Sequence, residues 1–579
     1  MSDRPSVVGV VGLGALGEAL LHLLHAAGYD VVGVERELDV LARVDQRMKA
    51  ADATRGPGAA VTLTNDTAAL CRAGLVIEAV TEDLETKTEV LRRLDSVCHD
   101  HTVLVSTTAS LSLTGLAIAS GRPGRTLGLR FLGPAAPDSA AEPVSTAMSD
   151  DDAVDALHRL LPTAGLTPVV LGPVPARDAT GLVYAFLNRA VALADTGYVG
   201  HESLDTAMRL GCGLPLGPLE MLDELGVDGV HSALLELWHR TGDDAFRPAP
   251  LLTSMIRAGA LGRKTGRGVY RYDELGHRLG AQRPAEGGGE AAGVRTVGVV
   301  GSGTMARGIA EVTTTAGLRT VVVARTEEKA GGLHKAVEAS LGRAVRRGRV
   351  TVECRRTALD LLEVTSDAGA LAGCDVVIEA TAEDPAVKRS VFERLGSVCR
   401  PGAVLATTTS SLSVAACAEA AGRPGHVLGL HFFNPAPAMR LVEVVRTATT
   451  RQEVMALGHD LCRRLGKVPV ECGDRTGFIV NRLLFPYLAD AIRLLERHDV
   501  EVEKTDLAVQ RGFGFPMGPF ALLDTIGLDV SLAILRSLHR AFPEPDFAPP
   551  RLLEQLVTQG FLGRKSSHGF HRTPRRAQL

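Results

Sequence analysis

Two kinds of hydrophobic patterning alternate along the chain, and each kind occurs twice. Short runs rich in valine and isoleucine, such as Val7 to Val11, are separated by stretches of helical spacing, which is typical of a parallel sheet. In 175–270 and 471–572 such runs are missing, and apolar residues recur at helical intervals, as in TGFIVNRLLFPYLADAIRLLE. The pattern therefore predicts an α/β chain in which a parallel-sheet domain is followed by an all-helical domain, twice.

The alternation comes from an internal repeat. VIEAVTEDLETK (76–87) recurs as VIEATAEDPAVK (377–388), and GRPGRTLGLRF (121–131) recurs as GRPGHVLGLHF (422–432). These segments are 301 residues apart, whereas the glycine-rich loops near the start of each copy are 289 apart, so copy 1 lacks about twelve residues in between. We expect a tandem duplication whose two copies have diverged independently.

The repeat sets the predicted domain boundaries. A polar, glycine-rich stretch without apolar periodicity, 272–293, separates the copies and is typical of a flexible linker. The predicted units are the sheet domain of copy 1 at 1–174, its helical domain at 175–271, the linker at 272–293, the sheet domain of copy 2 at 294–470 and its helical domain at 471–579.

Composition narrows the class of protein. The 579 residues are 45% apolar and 22% charged with a net charge of −4, which gives no electrostatic case for nucleic acid or an acidic membrane. Nine scattered cysteines without metal-binding spacing indicate reduced thiols and no metal site. We find no signal-peptide pattern and no apolar run of about 18 residues. A soluble, cytoplasmic protein is expected.

Each copy carries a glycine-rich loop between a strand and a helix. In copy 1, Gly12, Gly14 and Gly17 form GxGxxG, and Glu35 closes the next strand 23 residues after Gly12. Glycines allow the backbone to approach a pyrophosphate at the helix N-terminus, and the acid can accept hydrogen bonds from a ribose. Together these features predict a Rossmann-type dinucleotide-binding domain in each copy, with NAD as the cofactor of copy 1 if it binds one.

The loop of copy 2 differs in two places that bear on the cofactor. Alanine takes the third glycine position, and Ala324-Arg325-Thr326 stands where copy 1 has Glu35-Arg36. Loss of the carboxylate removes repulsion against a 2′-phosphate, and Arg325 could pair with that phosphate. We therefore favour NADP over NAD for copy 2; the alternative is that Arg325 is a solvated side chain and NAD binds without its usual acid. The predicted loop residues of copy 2 are Gly301, Gly303, Thr304, Met305 and Ala306.

A long segment of copy 2 resembles a known enzyme family. TTTSSLSVAACAEAAGRPGHVLGLHFFNPAPAMRLVEVV (407–445) is similar to the core signature of L-3-hydroxyacyl-CoA and 3-hydroxybutyryl-CoA dehydrogenases. The resemblance implies His431 as the proton-transferring base or acid and Glu443 as the carboxylate that orients it. It also implies that Ser410 and Asn481 bind the substrate oxygens, and that Glu383 and Lys388 lie on the nicotinamide side of the cofactor.

Copy 1 departs from this set. Arg130 stands at the position of His431, and an arginine cannot shuttle protons near neutral pH. Carboxylates and a lysine remain at Glu142, Glu82 and Lys87. Three further residues are lost, because Ser410, Asn434 and Asn481 correspond to Ala109, Gly133 and Ala185. We expect copy 1 to be catalytically inactive, and we expect the helical domains to pair as an intramolecular pseudo-dimer.

Three functions follow as alternatives. The first is interconversion of 3-oxoacyl and (S)-3-hydroxyacyl thioesters by copy 2 with NAD(P)(H), the acyl group being carried by CoA or by an acyl carrier protein. The second is a dehydrogenase of a non-thioester hydroxy or sugar acid. The third is a non-catalytic nucleotide-binding protein, which copy 1 alone would suit.

Overall fold

The fold consists of two eight-stranded sheets with helices on their faces, each followed by a group of helices. The computed structural model describes residues 7–55, 59–108, 111–170, 173–280, 293–497 and 500–572. Both sheets have the same strand order, 3-2-1-4-5-6-7-8 in the numbering of each copy. All neighbouring strands are parallel except the sixth and seventh. The prediction of two α/β domains, each followed by a helical domain, is confirmed.

The elements of copy 1 have the following bounds. Its strands are β1 (Val7–Val11), β2 (Asp30–Val34), β3 (Val61–Thr64), β4 (Leu75–Glu78), β5 (Val103–Ser106), β6 (Thr126–Phe131), β7 (Ala140–Val144) and β8 (Thr167–Pro168). Its helices are α1 (Ala15–Ala26), α2 (Leu38–Arg55), α3 (Leu84–Val97), α4 (Leu113–Ala119), α5 (Asp151–Thr163), α6 (Pro173–Asp195), α7 (His201–Cys212), α8 (Pro218–Leu225), α9 (Val227–Thr241) and α10 (Pro250–Arg257).

Copy 2 repeats this order with one additional helix. Its strands are β9 (Thr296–Val300), β10 (Arg319–Val323), β11 (Leu362–Thr365), β12 (Val376–Glu379), β13 (Val404–Thr407), β14 (Val427–Phe432), β15 (Leu441–Arg446) and β16 (Val468–Gly473). Its helices are α11 (Thr304–Thr315), α12 (Glu327–Arg346), α13 (Val352–Asp360), α14 (Pro385–Val398), α15 (Val414–Ala420), α16 (Gln452–Arg464), α17 (Val480–Arg497), α18 (Val502–Phe513), α19 (Pro519–Ile526), α20 (Leu528–Ala541) and α21 (Arg551–Thr558). Outside residues 56–58, which are not described, the segment between α2 and β3 contains no counterpart of helix α13, in agreement with the shorter copy 1.

The strand order creates a crevice at the middle of each sheet. Strand β1 pairs with β2 on one side and β4 on the other, and β9 pairs in the same way with β10 and β12. The chain therefore leaves the central strand in opposite directions, so the loops at the carboxyl ends of these strands diverge. Such a switch point is where doubly wound sheets bind ligands.

The helical domains of the two copies pack against each other with reciprocal contacts. A Cβ added at Gly213 would lie 3.4 Å from Pro516, and one at Gly514 would lie 3.2 Å from Pro215. These positions are equivalent in the repeat, so the contact is nearly two-fold symmetric. Arg189 also reaches across the interface, with Nη1 2.6 Å from an Asp490 carboxylate oxygen. The two copies thus form a pseudo-dimer within one chain.

The segment after the first helical domain corrects one expectation. Tyr272 is buried and donates its hydroxyl hydrogen bond to Asp223 at 3.0 Å, while Arg278 pairs with Glu202 and lies over the ring of Tyr270. The flexible linker predicted at 272–293 is therefore wrong for residues 272–280, because these side chains bind the helical domain. Residues 281–292 of that prediction lie outside the described residues.

No helix within the described ranges given above is both long enough and apolar enough to cross a membrane.

Candidate active site

The centre of the site is a histidine–carboxylate pair on two adjacent strands of copy 2. Strands β14 and β15 are antiparallel, and their register sets His431 directly opposite Glu443. Opposite residues of an antiparallel pair project to the same face of the sheet. The Nδ1 atom of His431 lies 2.6 Å from Oε2 of Glu443, and the glutamate is fully buried. Glu443 therefore orients the ring and leaves Nε2 for other partners.

The second oxygen of Glu443 is bound by the start of helix α17. The backbone N–H groups of Ile479 and Val480 both donate to Oε1 at 3.0 Å. A helix N-terminus stabilises a negative charge, and here it does so without water because the carboxylate is buried. The rings of Phe433 and Phe478 lie 4.7 and 5.5 Å from the imidazole centroid. The ring of His431 is consequently held by both hydrogen bonding and packing.

Phe478 has an unusual backbone. Its φ angle is +47°, in the left-handed region that residues other than glycine seldom adopt, and its side chain is 1% exposed. Such strain persists where the surrounding structure over-determines it, often at functional sites. Asn481, the predicted substrate-binding amide, lies in the first turn of α17 close after Phe478 and is largely buried.

Ser410 belongs to a neighbouring cluster around Glu383. Oε1 of Glu383 accepts hydrogen bonds from the Thr409 hydroxyl at 2.7 Å, from the Ser410 N–H at 2.9 Å and from the Ser411 N–H at 3.0 Å. Burial acts to raise the pKa of Glu383, but the ammonium of Lys388 and these hydrogen bonds outweigh it and hold the pKa below its usual range. The loop that carries Ser410 follows β13, next to β14, so both clusters lie at the same edge of the sheet.

The glycine-rich loops have the shape that a dinucleotide pyrophosphate needs. Gly12 and Gly301 have φ angles of +86° and +134°, and a Cβ at Gly301 would lie 2.4 Å from the carbonyl oxygen of Ala380. Gly14 and Gly303 are the N-caps of α1 and α11, and a Cβ on either would meet no atom within 4 Å. Open space above a helix N-terminus fits a phosphate group. Thr304, Met305 and Ala306 form the first turn of α11 in copy 2, and Gly17 is buried in α1 of copy 1.

The residue after the second strand differs between the copies in the way that bears on the cofactor. In copy 1, the carboxylate of Glu35 accepts a hydrogen bond from the N–H of Leu13 at 2.8 Å, which places it beside the loop. Ala324 occupies the same position in copy 2 and is buried, and Arg325 after it is exposed. The carboxylate that would face the adenosine ribose is therefore present in copy 1 and absent from copy 2.

Copy 1 has the same strand register at this place but a different pair of side chains. Arg130 lies opposite Glu142 on β6 and β7, and its Nη1 is 2.5 Å from the carboxylate. The pair is thus a salt bridge in the register position of His431 and Glu443. Ala185 lies buried in α6, whereas Ala109 lies outside the described residues.

Comparison with known families agrees with the duplicated fold. The family model of the 3-hydroxyacyl-CoA dehydrogenase NAD-binding domain matches 7–174 and again 296–475, and that of the C-terminal domain matches 179–272 and 477–573. The chain belongs to the 3-hydroxyacyl-CoA dehydrogenase family. The resemblance identified from the sequence is confirmed, including its tandem arrangement.

Each of two individual relatives matches a stretch of this chain about as long as one copy. A 3-hydroxybutyryl-CoA dehydrogenase of Mycobacterium tuberculosis is 44% identical over 280 residues, which cover 48% of this chain and 98% of the relative. The mitochondrial hydroxyacyl-coenzyme A dehydrogenase of Rattus norvegicus is 41% identical over 286 residues, covering 48% and 91%. A crystal structure of 3-hydroxybutyryl-CoA dehydrogenase from Escherichia coli covers 96% of this chain and 100% of its own, with a TM-score of 0.56 and 22% identity, a likeness of fold.

A buried ion pair beneath the site was missed in the sequence. Nζ of Lys388 lies 2.8 Å from Glu379, which is fully buried and also accepts a hydrogen bond from Thr407 at 2.7 Å. Copy 1 has the same arrangement, with Lys87 2.8 Å from Glu78. The cofactor contact predicted for Lys388 stays a prediction; the structure pairs its ammonium with Glu379 and places it 3.6 Å from the carboxylate of Glu383. The sequence feature that could have indicated this ion pair is a glutamate at the end of an apolar strand in both copies, Glu78 and Glu379.

A cavity with cationic walls also escaped sequence reasoning. It encloses about 570 Å³ beside Asn434 and Pro435, shortly after His431 in the chain. Its basic residues are Arg307, Arg343, Arg347, Arg349 and Lys467. In copy 1 the position of Arg307 is taken by Glu18, which pairs with Arg47 at 2.9 Å. The sequence feature that could have indicated this cavity is the basic run RAVRRGRV (343–350), which lies in a region where copy 1 is shorter.

Proposed function

We propose that copy 2 interconverts 3-oxoacyl-CoA and (S)-3-hydroxyacyl-CoA, and that copy 1 does not catalyse this reaction. The observation that carries the proposal is the buried pair of His431 and Glu443, at the same sheet edge as a dinucleotide crevice. When bound, the nicotinamide supplies or takes up the hydride. The stereochemistry follows from membership of the family.

The pair handles the proton that accompanies hydride transfer. With Nδ1 bound to Glu443, Nε2 of His431 accepts the hydroxyl proton during oxidation and donates a proton to the 3-oxo oxygen during reduction. Glu443 stabilises the imidazolium that exists between these two states. Arg130 keeps its charge near neutral pH, so copy 1 lacks a group that can alternate in this way.

The cationic cavity supports CoA as the acyl carrier. Five basic side chains against a single carboxylate, Glu311, around one cavity suit the diphosphate and the ribose phosphate of CoA, since phosphate is recognised by charge-assisted hydrogen bonds. The matching region of copy 1 has Glu18 and Glu224 in its walls, where they form ion pairs with Arg47 and Arg263. Its walls therefore carry less net positive charge than those of copy 2 and suit a polyanion less well.

For the cofactor, we propose NADP(H) in copy 2 and NAD(H) in copy 1. The absence of a carboxylate at Ala324 and the exposed Arg325 accommodate a 2′-phosphate, whereas Glu35 repels one. Reduction is then the expected working direction. The test is the ratio of kcat/KM for NADPH and NADH: Ala324→Glu should shift this ratio toward NADH, and a strong NADH preference of the unaltered protein would contradict the assignment.

Turnover of acetoacetyl-CoA tests the reaction itself. His431→Ala should abolish turnover, whereas Arg130→Lys, which keeps a positive charge beside Glu142, should leave kcat unchanged. Acyl-carrier-protein thioesters and sugar acids serve as alternative substrates in the same assay. Preference for either over acetoacetyl-CoA, or activity that survives His431→Ala, would refute the proposal.

A further inference from the structure

The catalytic pair of copy 2 is backed by a helix of copy 1. Helix α7 lies against β15, which carries Glu443, and against the start of α17. In this contact the helix has a glycine: a Cβ on Gly211 would lie 2.9 Å from a methyl of Val480 and 3.0 Å from a methyl of Leu441. Any larger side chain at this position must displace the helix or its neighbours.

The neighbours of Gly211 are the residues that hold Glu443. The N–H of Val480 donates directly to the carboxylate, and Leu441 begins the strand on which Glu443 lies. Cys212 follows on the same helix; burial and the nearby charge of Glu443 raise the pKa of its thiol to about 12. The last turn of α7 therefore shields the Glu443 carboxylate from water on the side that faces copy 1.

A second contact from copy 1 holds the segment that leads into α17. The hydroxyl of Tyr198 donates to the carbonyl oxygen of Gly473 at 2.8 Å, and Arg475 stacks on the Tyr198 ring at 4.8 Å. The residue between them, Asp474, accepts hydrogen bonds from the backbone N–H groups of Val414 and Ala415 at the start of α15, shortly after the Ser410 loop. Through Asp474 and its neighbours, Tyr198 thus connects copy 1 both to the segment that leads into α17 and to the start of α15 near the Ser410 loop.

We propose that Gly211 and Tyr198 of copy 1 are positioning residues for the reaction of copy 2, acting through the first turn of α17 on Glu443 and His431. The inference rests on the proposed function of copy 2. It gives the inactive copy a definite task, because removing α7 would leave Glu443 exposed to water from behind. Water competes for the hydrogen bonds of a carboxylate and weakens its hold on the imidazole.

The repeat provides a matched control for this role. Gly512 is the equivalent of Gly211 on α18, where it backs the inactive site of copy 1; a Cβ there would lie 2.4 Å from Leu132. Gly211→Val and Gly512→Val therefore wedge the same interface from opposite sides. Both should lower Tm, whereas loss of rate should be confined to Gly211→Val.

Steady-state kinetics in the full-length protein test the proposal. A displacement of about 1 Å in a catalytic group can cost about 100-fold in rate, so Gly211→Val should lower kcat by that order with the KM for the dinucleotide unchanged. Gly211→Ala, which adds one methyl against the side chains of Val480 and Leu441, should lower kcat less than Gly211→Val. In a Glu443→Gln background, Gly211→Val should cause no further loss, because both changes act on one pair. Equal effects of Gly211→Val and Gly512→Val on kcat, or additivity with Glu443→Gln, would overturn the proposal.

A spectroscopic measurement keeps this test separate from the proposed function. In protein with nitrogen-labelled histidine, the Nδ1–H proton of His431 should give a far-downfield resonance that shifts in Gly211→Val and stays in place in Gly512→Val. Tyr198→Phe should shift it in the same direction by a smaller amount. An unmoved resonance in Gly211→Val refutes the positioning role even if the natural substrate is not acetoacetyl-CoA, whereas failure of the proposed function would appear as absent turnover with these shifts intact.

Discussion

Replacing Glu443 by glutamine tests the catalytic pair at a residue whose hydrogen-bond partners are fixed by the surrounding structure. Three donors converge on this carboxylate: Nδ1–H of His431 at 2.6 Å and the N–H groups of Ile479 and Val480 at 3.0 Å. A glutamine of nearly the same shape offers one acceptor and one donor. The two backbone groups belong to a helix terminus and cannot become acceptors, so the amide oxygen should turn toward them and the NH₂ toward His431.

The consequence is the wrong tautomer of the histidine. Facing an NH₂ group, Nδ1 must be an acceptor, so the proton moves to Nε2, which then cannot accept the substrate's hydroxyl proton. The imidazolium also loses its counter-charge at hydrogen-bond distance. In the histidine–aspartate pair of the serine-protease triad, the corresponding amide substitution costs about 10⁴ in kcat, which is about 5.5 kcal/mol of transition-state stabilisation.

The assay is acetoacetyl-CoA reduction, followed by loss of reduced-nicotinamide absorbance, with oxidation measured in the reverse direction. Glu443→Gln should lower kcat in both directions with little change in KM. Glu142→Gln in copy 1 is the matched control and should leave kcat unaltered. Retention of more than about a tenth of kcat by Glu443→Gln, a loss below about 1.4 kcal/mol, would refute the tautomer argument.

Three further predictions concern the surroundings of the pair. Because the pKa of Glu383 is lowered, its contribution to stability is complete above the ordinary value of 4.5 and is lost as the pH falls through the lowered value. In urea unfolding, Glu383→Gln should therefore differ more from the unaltered protein at neutral than at acidic pH; equal differences would contradict this. Lys388→Met should destabilise by about 3 to 5 kcal/mol in the same measurement by leaving Glu379 unpaired, and the double variant with Glu379→Leu should recover much of the loss; no recovery would contradict the pairing. Arg307→Ala should raise the KM for acetoacetyl-CoA by about 10-fold through loss of a charge-assisted contact and leave that for a pantetheine thioester unchanged; equal effects on both would place the CoA phosphates elsewhere.

Hydrophobic periodicity was sufficient to predict the domain order, because both kinds of domain carry their own period. Runs such as VVGVV predicted buried parallel strands. Because of the repeat, each strand assignment was supported by two equivalent segments of the chain. The pairing of His431 with Glu443 could be expected from family resemblance, but the antiparallel register that sets them opposite each other is a three-dimensional property. A segment such as 272–280 was misjudged because its few aromatic and charged side chains find partners far away in sequence.

The interface between the copies was beyond sequence reasoning for the same reason. Gly211 has no local signature, since its place in helix α7 calls for no special backbone conformation, and its small size matters because Val480 and Leu441 of the other copy lie against it. Similarly, the cationic cavity gathers Arg307 and Lys467 from elements far apart in the chain. Close approach and charge convergence are properties of packing, which periodicity does not encode.

Under the proposed function, arginine at position 130 explains how copy 1 can lack the chemistry and keep its fold. Glu142 is 4% exposed, and a buried carboxylate without a counter-charge would cost several kcal/mol. Arginine at the register position of His431 supplies that counter-charge permanently, whereas it cannot release the proton that catalysis requires. The change therefore separates the electrostatic role of the pair from its catalytic role. Because the position of α7 depends on a stable copy 1, the proposed support of the copy 2 site requires copy 1 to be well folded but not to be catalytically active.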